Sequence, residues 1–337
     1  MRISELRNKA KGSRRVSILL TCGLCLVWFH SGNLSWSQES SYPTKPIKIV
    51  IPNEPGGVID LGIRAMTDFL TQELKVPMVI ENRSGAGGMI GAADMLKAKP
   101  DGYTLLAAGD GPIITAPLAS PNPPYDPLKD FLPLCSYGGS PMALGVVSSS
   151  PIKTLGELVK GARDNPGKLT IAITVFGGEN HLSFEVFRRA AAINIKIVPY
   201  KGTGEGIAAL LGKHVDIMAL TYIGFLPYVK SGEIRLLVVS SSVPGSSLPN
   251  FAEAGYPQAL LPRFNGFFVS AKTPKSIHER LVPVFRRVAN NSELRKKWES
   301  IGLVPDYIEP AAFTEVITKK WNTYSLIMEE LGLRKKK

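Results

Sequence analysis

Two glycine-rich segments, each placed where a strand pattern gives way to a helix pattern, constrain this chain most. The first is IVIPNEPGGVID, residues 49–60, and the second is VIENRSGAGGMIG, residues 79–91. Glycine takes φ > 0 readily and lets backbone approach a bound group closely. A helix that starts there offers unpaired N–H groups and the positive end of its dipole. Two such cradles in one half-domain predict a small anion held mainly by main chain. Read singly, each is also an ordinary tight βα turn, because glycine patterns alone are weak signals. The second has some likeness to a dinucleotide fingerprint, but the order of strand, fingerprint and downstream ribose acid is missing.

The rest of the chain reads as α/β. Short β-branched runs alternate with helical patterns, which predicts parallel strands. Strands are expected over 47–51, 78–81, 104–107, 144–147, 169–173, 196–198, 217–220 and 235–239. Ile59, Ile63, Met66, Leu70 and Leu74 recur at helical steps and share one face against a sheet, as do Leu155, Leu158, Val159 and Ala162. The stretch 117–134 reads as an irregular traverse, closed by the breakers at 136–141, and a second breaker cluster covers 240–249. From Ser276 onward the pattern is helical, with Trp298 and Trp321 as packing anchors. A chain of 337 residues, 44% hydrophobic, can bury one or two sizeable cores.

Residues 1–37 have the form of a cleaved export signal. Arg2, Arg7, Lys9, Lys11, Arg14 and Arg15 make a basic start, an apolar run covers 16–29, and Ser35-Trp36-Ser37 supplies the small residues of a cleavage site. The apolar run is short for a membrane span. SRRVSILL also resembles a twin-arginine signal. Removing the segment takes away six basic residues and Glu5, which lowers the formal net charge from +12 to +7. Four of those charges sit in the tail from Arg334 to Lys337, so the body is only mildly basic. That argues against nucleic acid as a partner and suits anionic solutes. Cys22 and Cys25 leave with the signal, so Cys135 is left without an intramolecular disulfide partner. No zinc spacing exists and the histidines are scattered, so neither a metal nor a cofactor is expected.

The segments YPTKPIKIVIPNEPGGVID, ENRSGAGGMIGAADMLKAKPDGYTLLAAG, YDPLKDFLPL and VPYKGTGEGIAALLGKHVDIMAL follow one another in a characteristic order. From Tyr42 to about Ile327 the chain resembles the solute-binding component of tripartite tricarboxylate transporters, also called Bug receptors. The resemblance implies a two-lobed α/β fold of the periplasmic-binding-protein kind, with a ligand cleft between lobes joined by two crossing segments. Lobe 1 is then 42–141 plus 241–337 and lobe 2 is 142–240. It implies a periplasmic location, a small organic acid or amino-acid-like ligand, and the large and small membrane subunits of a transporter as partners. A monomer is expected.

The candidate ligand-binding residues follow from the loops. The family pattern places the backbone of Pro55, Gly56 and Gly57 at the ligand, while Asp60 either caps the next helix or meets a polar ligand group. Ser84, Gly85, Ala86, Gly87 and Gly88 form the second cradle, whose consecutive N–H groups can converge on one carboxylate oxygen. Asp110 departs from the small hydroxyl residues of relatives; it either pairs with an amine or hydroxyl or caps a helix. Glu54 is a further departure, an acid beside an anion cradle. Across the cleft, Thr174, Gly178, Glu179 and Asn180 belong to a loop entering a helix, and Glu179 either favours the helix dipole or recognises a cationic group. Tyr200 and Tyr222 are expected at the cleft wall, and Lys201 reads as solvent-exposed. His181 reads as a structural hydrogen-bonding residue.

An enzyme is not expected. Ser183 lies near His181 but follows no nucleophile elbow, and no GxSxG, HExxH or P-loop is present. A ligand-presenting protein for a sensor, without a transporter, is the other reading that the sequence leaves open.

Overall fold

The β-branched runs fall into two separate sheets in the computed structural model, which describes residues 42–334. The export segment and the last lysines therefore lie outside the described residues. Every element below belongs to one compact unit that begins at Pro43. Its strands are β1 (Ile47–Ile51), β2 (Met78–Asn82), β3 (Thr104–Gly109), β4 (Phe131–Gly139), β5 (Met142–Val147), β6 (Thr170–Ile173), β7 (Lys196–Pro199), β8 (Ile217–Thr221), β9 (Ile234–Val239), β10 (Asn265–Ser270) and β11 (Val304–Ile308). The first sheet has the order β11-β4-β10-β3-β1-β2 and the second β7-β6-β8-β5-β9. The chain passes between them twice, from β4 to β5 and from β9 to β10.

The sheets are mixed, not parallel throughout. β1 pairs parallel with β2 and β3, and β6 with β7 and β8. β10 runs antiparallel to β3 and β4, and β5 antiparallel to β8 and β9. The antiparallel members lie next to the two crossings, where no helix intervenes to return the chain. β4 occupies the end of the expected irregular traverse. Pro133 and Gly138-Gly139 read as breakers, yet they sit at or beside register shifts in the pairing with β10. β10 and β11 are also additions, and β11 interrupts the C-terminal stretch that reads as helices.

The helices are α1 (Val58–Leu74), α2 (Met89–Lys97), α3 (Ala116–Ala119), α4 (Leu155–Asp164), α5 (Glu179–Ala190), α6 (Thr203–Leu211), α7 (Tyr222–Lys230), α8 (Lys275–Ala289), α9 (Ser292–Ser300) and α10 (Pro310–Glu330). On α1 the periodic residues Ile63, Met66, Leu70 and Leu74 are buried, as its spacing predicts. α4 buries Leu155, Leu158, Val159 and Ala162, and its start is capped: Thr154 Oγ1 accepts from Glu157 N–H, and the Glu157 carboxylate accepts from the N–H of Lys153, just before the cap. Trp298 on α9 is fully buried, donates to Gly62 O of α1 at 2.8 Å and lies 5.3 Å from the Tyr137 ring. It ties the C-terminal helices to the first sheet. Trp321 is only partly buried, with Arg334 over its ring.

Candidate functional site

β1, β2 and β3 are parallel and end side by side, so the loops leaving them share one rim. Such carboxyl-end rims are where open α/β sheets place ligands. A cavity of about 480 Å³ opens there. Pro52, Asn53 and Glu54 after β1 line it, together with Ser84, Gly85, Gly87 and Gly88 after β2, and Gly109, Asp110, Gly111 and Pro112 at the end of β3. Ser140 in the first crossing, Thr221 and Ile223 of the second-sheet region, and Arg263 and Asn265 where the chain re-enters β10 complete the wall with Ile59.

The second glycine segment supplies the backbone surface. Gly85, Ala86, Gly87 and Gly88 all have φ > 0, at 120°, 48°, 65° and 92°. This left-handed turn is closed by Gly88 N–H onto Gly85 O and Met89 N–H onto Ala86 O. It brings backbone to the cavity where a side chain has no room: a Cβ on Gly87 would stand 2.7 Å from Ala116 Cβ. Ala86 belongs to the same turn but lines an outer groove instead.

The first segment contributes differently from the family pattern. Pro55, Gly56 and Gly57 are exposed and lie outside the cavity wall, which uses the residues just before them. Asp60 is fully buried beneath that turn. Its Oδ2 accepts from Gly56 N–H at 2.9 Å and Arg64 Nε at 2.8 Å, and its Oδ1 from Asn82 Nδ2 at 2.9 Å. Its role is thus to hold the β1 loop to α1 and β2. Burial alone would raise its pKa; the hydrogen bonds from Arg64, Gly56 and Asn82 and the Arg64 charge outweigh that and hold it below the usual value. Folding stability from a depressed carboxyl is present above its unfolded pKa and is lost as pH falls through the folded one. Asp60→Asn is therefore expected to cost about 1–3 kcal/mol near neutrality. The cost should shrink in acid, which urea titrations across pH will read.

Glu54 faces the cavity and accepts the Ser84 hydroxyl, so it clasps the two glycine segments together. The other two acids singled out in the sequence, Asp110 and Glu179, converge on a lysine. Asp110 Oδ1 and Glu179 Oε1 each lie 2.6 Å from Nζ of Lys320 on α10, which also donates to Pro262 O at 3.0 Å. Asp110 Oδ2 accepts Phe264 N–H at 3.2 Å, and Tyr324 donates its hydroxyl to Glu179 Oε1 at 3.0 Å. Lys320 and Tyr324 are fully buried. Burial and the Glu179 charge push Asp110 up to about 6, against the opposing pull of Lys320 and Arg263. Burial foremost also keeps the Tyr324 phenol protonated.

Arg263 is the only Lys or Arg among the described residues of the wall. Its Nη1 donates to Asn180 Oδ1 at 3.3 Å, which links the second-lobe helix α5 to the cavity. Asn53 Oδ1 and Ser140 Oγ, both in the wall, are buried without a hydrogen-bond partner. Buried polar atoms without partners are uncommon. Arg263, Asn265, Ser140 and Lys320 escape the reading of the sequence altogether.

Of the remaining candidates, Thr174 and Gly178 flank the turn into α5 and do not line the cavity. Tyr200 and Tyr222 pack against the second sheet's core, while their neighbours Thr221 and Ile223 reach the wall. Lys201 is exposed. His181 is buried, accepts Gly177 N–H on Nδ1 at 2.9 Å and stacks on Phe176. Burial lowers its pKa, so it is a neutral structural residue. No group of acids, cysteines and histidines among the described residues is arranged for a metal ion.

Two α/β lobes crossed twice by the chain, with a cavity at their junction, define a binding protein of the periplasmic type. Residues 63–333 match the family model described as tripartite tricarboxylate transporter family receptor, and the chain belongs to that family. It is 29% identical over 307 residues to protein BugT of Bordetella pertussis, covering 89% of this chain and 93% of that one. Among solved structures it is similar to R. palustris Rpa4515 with adipate, at 28% identity and TM-score 0.68, covering 86% of this chain and 98% of that one. It is also similar to MatC of Rhodopseudomonas palustris with bound malate, at 26% identity and TM-score 0.64, covering 86% of this chain and all of that one.

Proposed function

We propose that this protein is an exported receptor that captures a small organic carboxylate between its lobes and delivers it to the large and small membrane subunits of a tripartite transporter. The lobes are 42–141 with 241–337, and 142–240. The observation that carries the reading is a cavity at the lobe junction with a left-handed glycine turn on one side and Arg263 in its wall. Backbone N–H groups and a guanidinium are both suited to carboxylates. The relatives with adipate and with malate support the same ligand class. Charge-assisted hydrogen bonds contribute about 1.5–3 kcal/mol each, and micromolar affinity needs only about 8 kcal/mol, so a few such contacts with shape fit suffice. Arg263, in the cavity wall, is tied to Asn180 of α5, so occupancy at Arg263 favours the closed arrangement that a membrane partner recognises.

One preparation tests the reading. Protein recovered from the extracytoplasmic fraction should begin near Gln38. Its melting temperature should rise with at least one member of a panel holding adipate, malate, a tricarboxylate, an aromatic acid and an acidic amino acid. A cytoplasmic protein that retains Arg14, or a melting temperature blind to every carboxylate, would contradict it.

A further inference from the structure

Asp110 borders the cavity, and a carboxylate there repels the anion that the glycine turn and Arg263 are suited to hold. We propose that Lys320, which is fully buried and takes no part in the wall, makes the pocket selective for anions by cancelling the Asp110 charge from behind. The proposal rests on the carboxylate-receptor reading above. It explains how an acid can stand in the wall of such a site.

The geometry is that of a charge held in place. Lys320 Nζ stands 2.6 Å from both Asp110 Oδ1 and Glu179 Oε1, and a third donation to Pro262 O, at 3.0 Å, fixes the ammonium between them. The groups that face Asp110 are Glu179 from α5, Lys320 and Tyr324 from α10, and Arg263 from the segment entering β10. Asp110 and Glu179 against Lys320 and Arg263 balance, so the pocket floor is neutral while Lys320 is present. Salt does not screen a buried set as it screens surface charges, and the low local dielectric keeps each charge felt across the cavity. Without Lys320 one negative charge is left beside the anion's seat. Stability alone does not account for the set, since buried ion pairs commonly add little over apolar packing of the same volume.

Protonation gives the proposal a signature that packing lacks. Burial and Glu179 already push Asp110 up to about 6, and Lys320 is among the groups that hold it down. Loss of the lysine raises it further, so the floor then becomes neutral only by taking up a proton. Anion binding must then weaken as pH rises.

The test is calorimetric titration with the five acids of that panel, adipate and malate first, at about pH 6 and about pH 8, on wild type, Lys320→Met, Asp110→Asn and the double variant. Lys320→Met should bind roughly tenfold or more weakly at the higher pH and recover at the lower. Asp110→Asn, which leaves a net positive floor, should bind several-fold more tightly. The double variant, again balanced by Glu179 and Arg263, should regain most of what Lys320→Met loses and bind with little pH dependence. Lys320→Met binding like wild type at both pH values would overturn the proposal. So would both single variants weakening alike at both. Should Lys320→Met fail to fold, Asp110→Asn decides by its sign: tighter binding supports the proposal, weaker binding overturns it. Wild type that binds no acid of the panel would overturn this proposal together with the receptor reading. Wild type that binds, with variants that do not differ, overturns this proposal alone.

Discussion

Arg263→Met should lower carboxylate affinity by roughly 10–150-fold while leaving the fold intact. The range is that of one charge-assisted hydrogen bond, about 1.5–3 kcal/mol, converted at about 1.4 kcal/mol per decade. Arg263 is the sole cationic side chain in the described wall, and Asn180 Oδ1 holds it from the second lobe. Methionine keeps the stem's apolar contacts and removes only the planar donor set. The loss should be larger at high pH than at low. Arg263 is one of the two cations that pull the Asp110 pKa down, so its removal raises that pKa and lets a proton restore neutrality in acid. Asn180→Ala should give a smaller loss, because it removes the group that orients the guanidinium and leaves the charge. Titration with the carboxylate that most raises the wild-type melting temperature reads all three effects. Affinity unchanged in Arg263→Met would mean that main chain alone holds the anion.

That outcome is the one which the sequence by itself favours, and the reason is instructive. The glycine segments are legible because φ > 0 and close approach demand glycine in a short run, and the left-handed turn at 85–88 is there. The α1 and α4 faces are legible because burial follows the helical period. Arg263 is not, since it lies in an irregular crossing between a breaker cluster and β10, where no period announces which way a side chain turns. Pro55, Gly56 and Gly57 look like the nearer half of the first cradle, yet the chain turns outward at Gly56, φ 83°, after Glu54. Asp60 then spends its carboxylate on closing that turn.

Lys320 had a signal that periodicity could have found. Phe313, Ile317, Tyr324, Ile327 and Met328 form the buried stripe of α10, and Lys320 stands in the middle of it. A lysine on an apolar stripe demands a buried counter-ion, and the chain holds two acids, Asp110 and Glu179, within 2.6 Å of it. The pairing joins residues 210 positions apart for Asp110. Only the fold brings them together. The two acids that from sequence could have met an amine on the solute meet one inside the protein.

Gly87→Val should abolish carboxylate binding, a loss of at least about a hundredfold, while Gly57→Val should bind nearly as wild type. The two glycines look equivalent in sequence, each a member of a Gly-Gly pair just before a helix, and the structure separates them. Gly87 has φ 65°, and a Cβ there would stand 2.7 Å from Ala116 Cβ, on the helix that follows the Asp110 turn. A β-branched residue resists that conformation at a cost of about 1–3 kcal/mol, so the turn either shifts or flips toward φ < 0. Either change moves Gly85 and Gly88, which line the cavity, and redirects the N–H groups that would meet the anion. Because the turn lies at the rim, and not among the core residues, the protein should stay folded with a melting temperature lowered by only a few degrees. Gly57, by contrast, has φ −73°, and its Cβ would meet nothing closer than Glu54 O at 3.8 Å. Lys201→Ala serves as the charge control, since that side chain is exposed and outside the wall. Calorimetric titration of the three variants, each checked for an unchanged circular dichroism spectrum, separates the loops. Normal binding in Gly87→Val, with loss in Gly57→Val, would move the anion's seat from the second segment to the first.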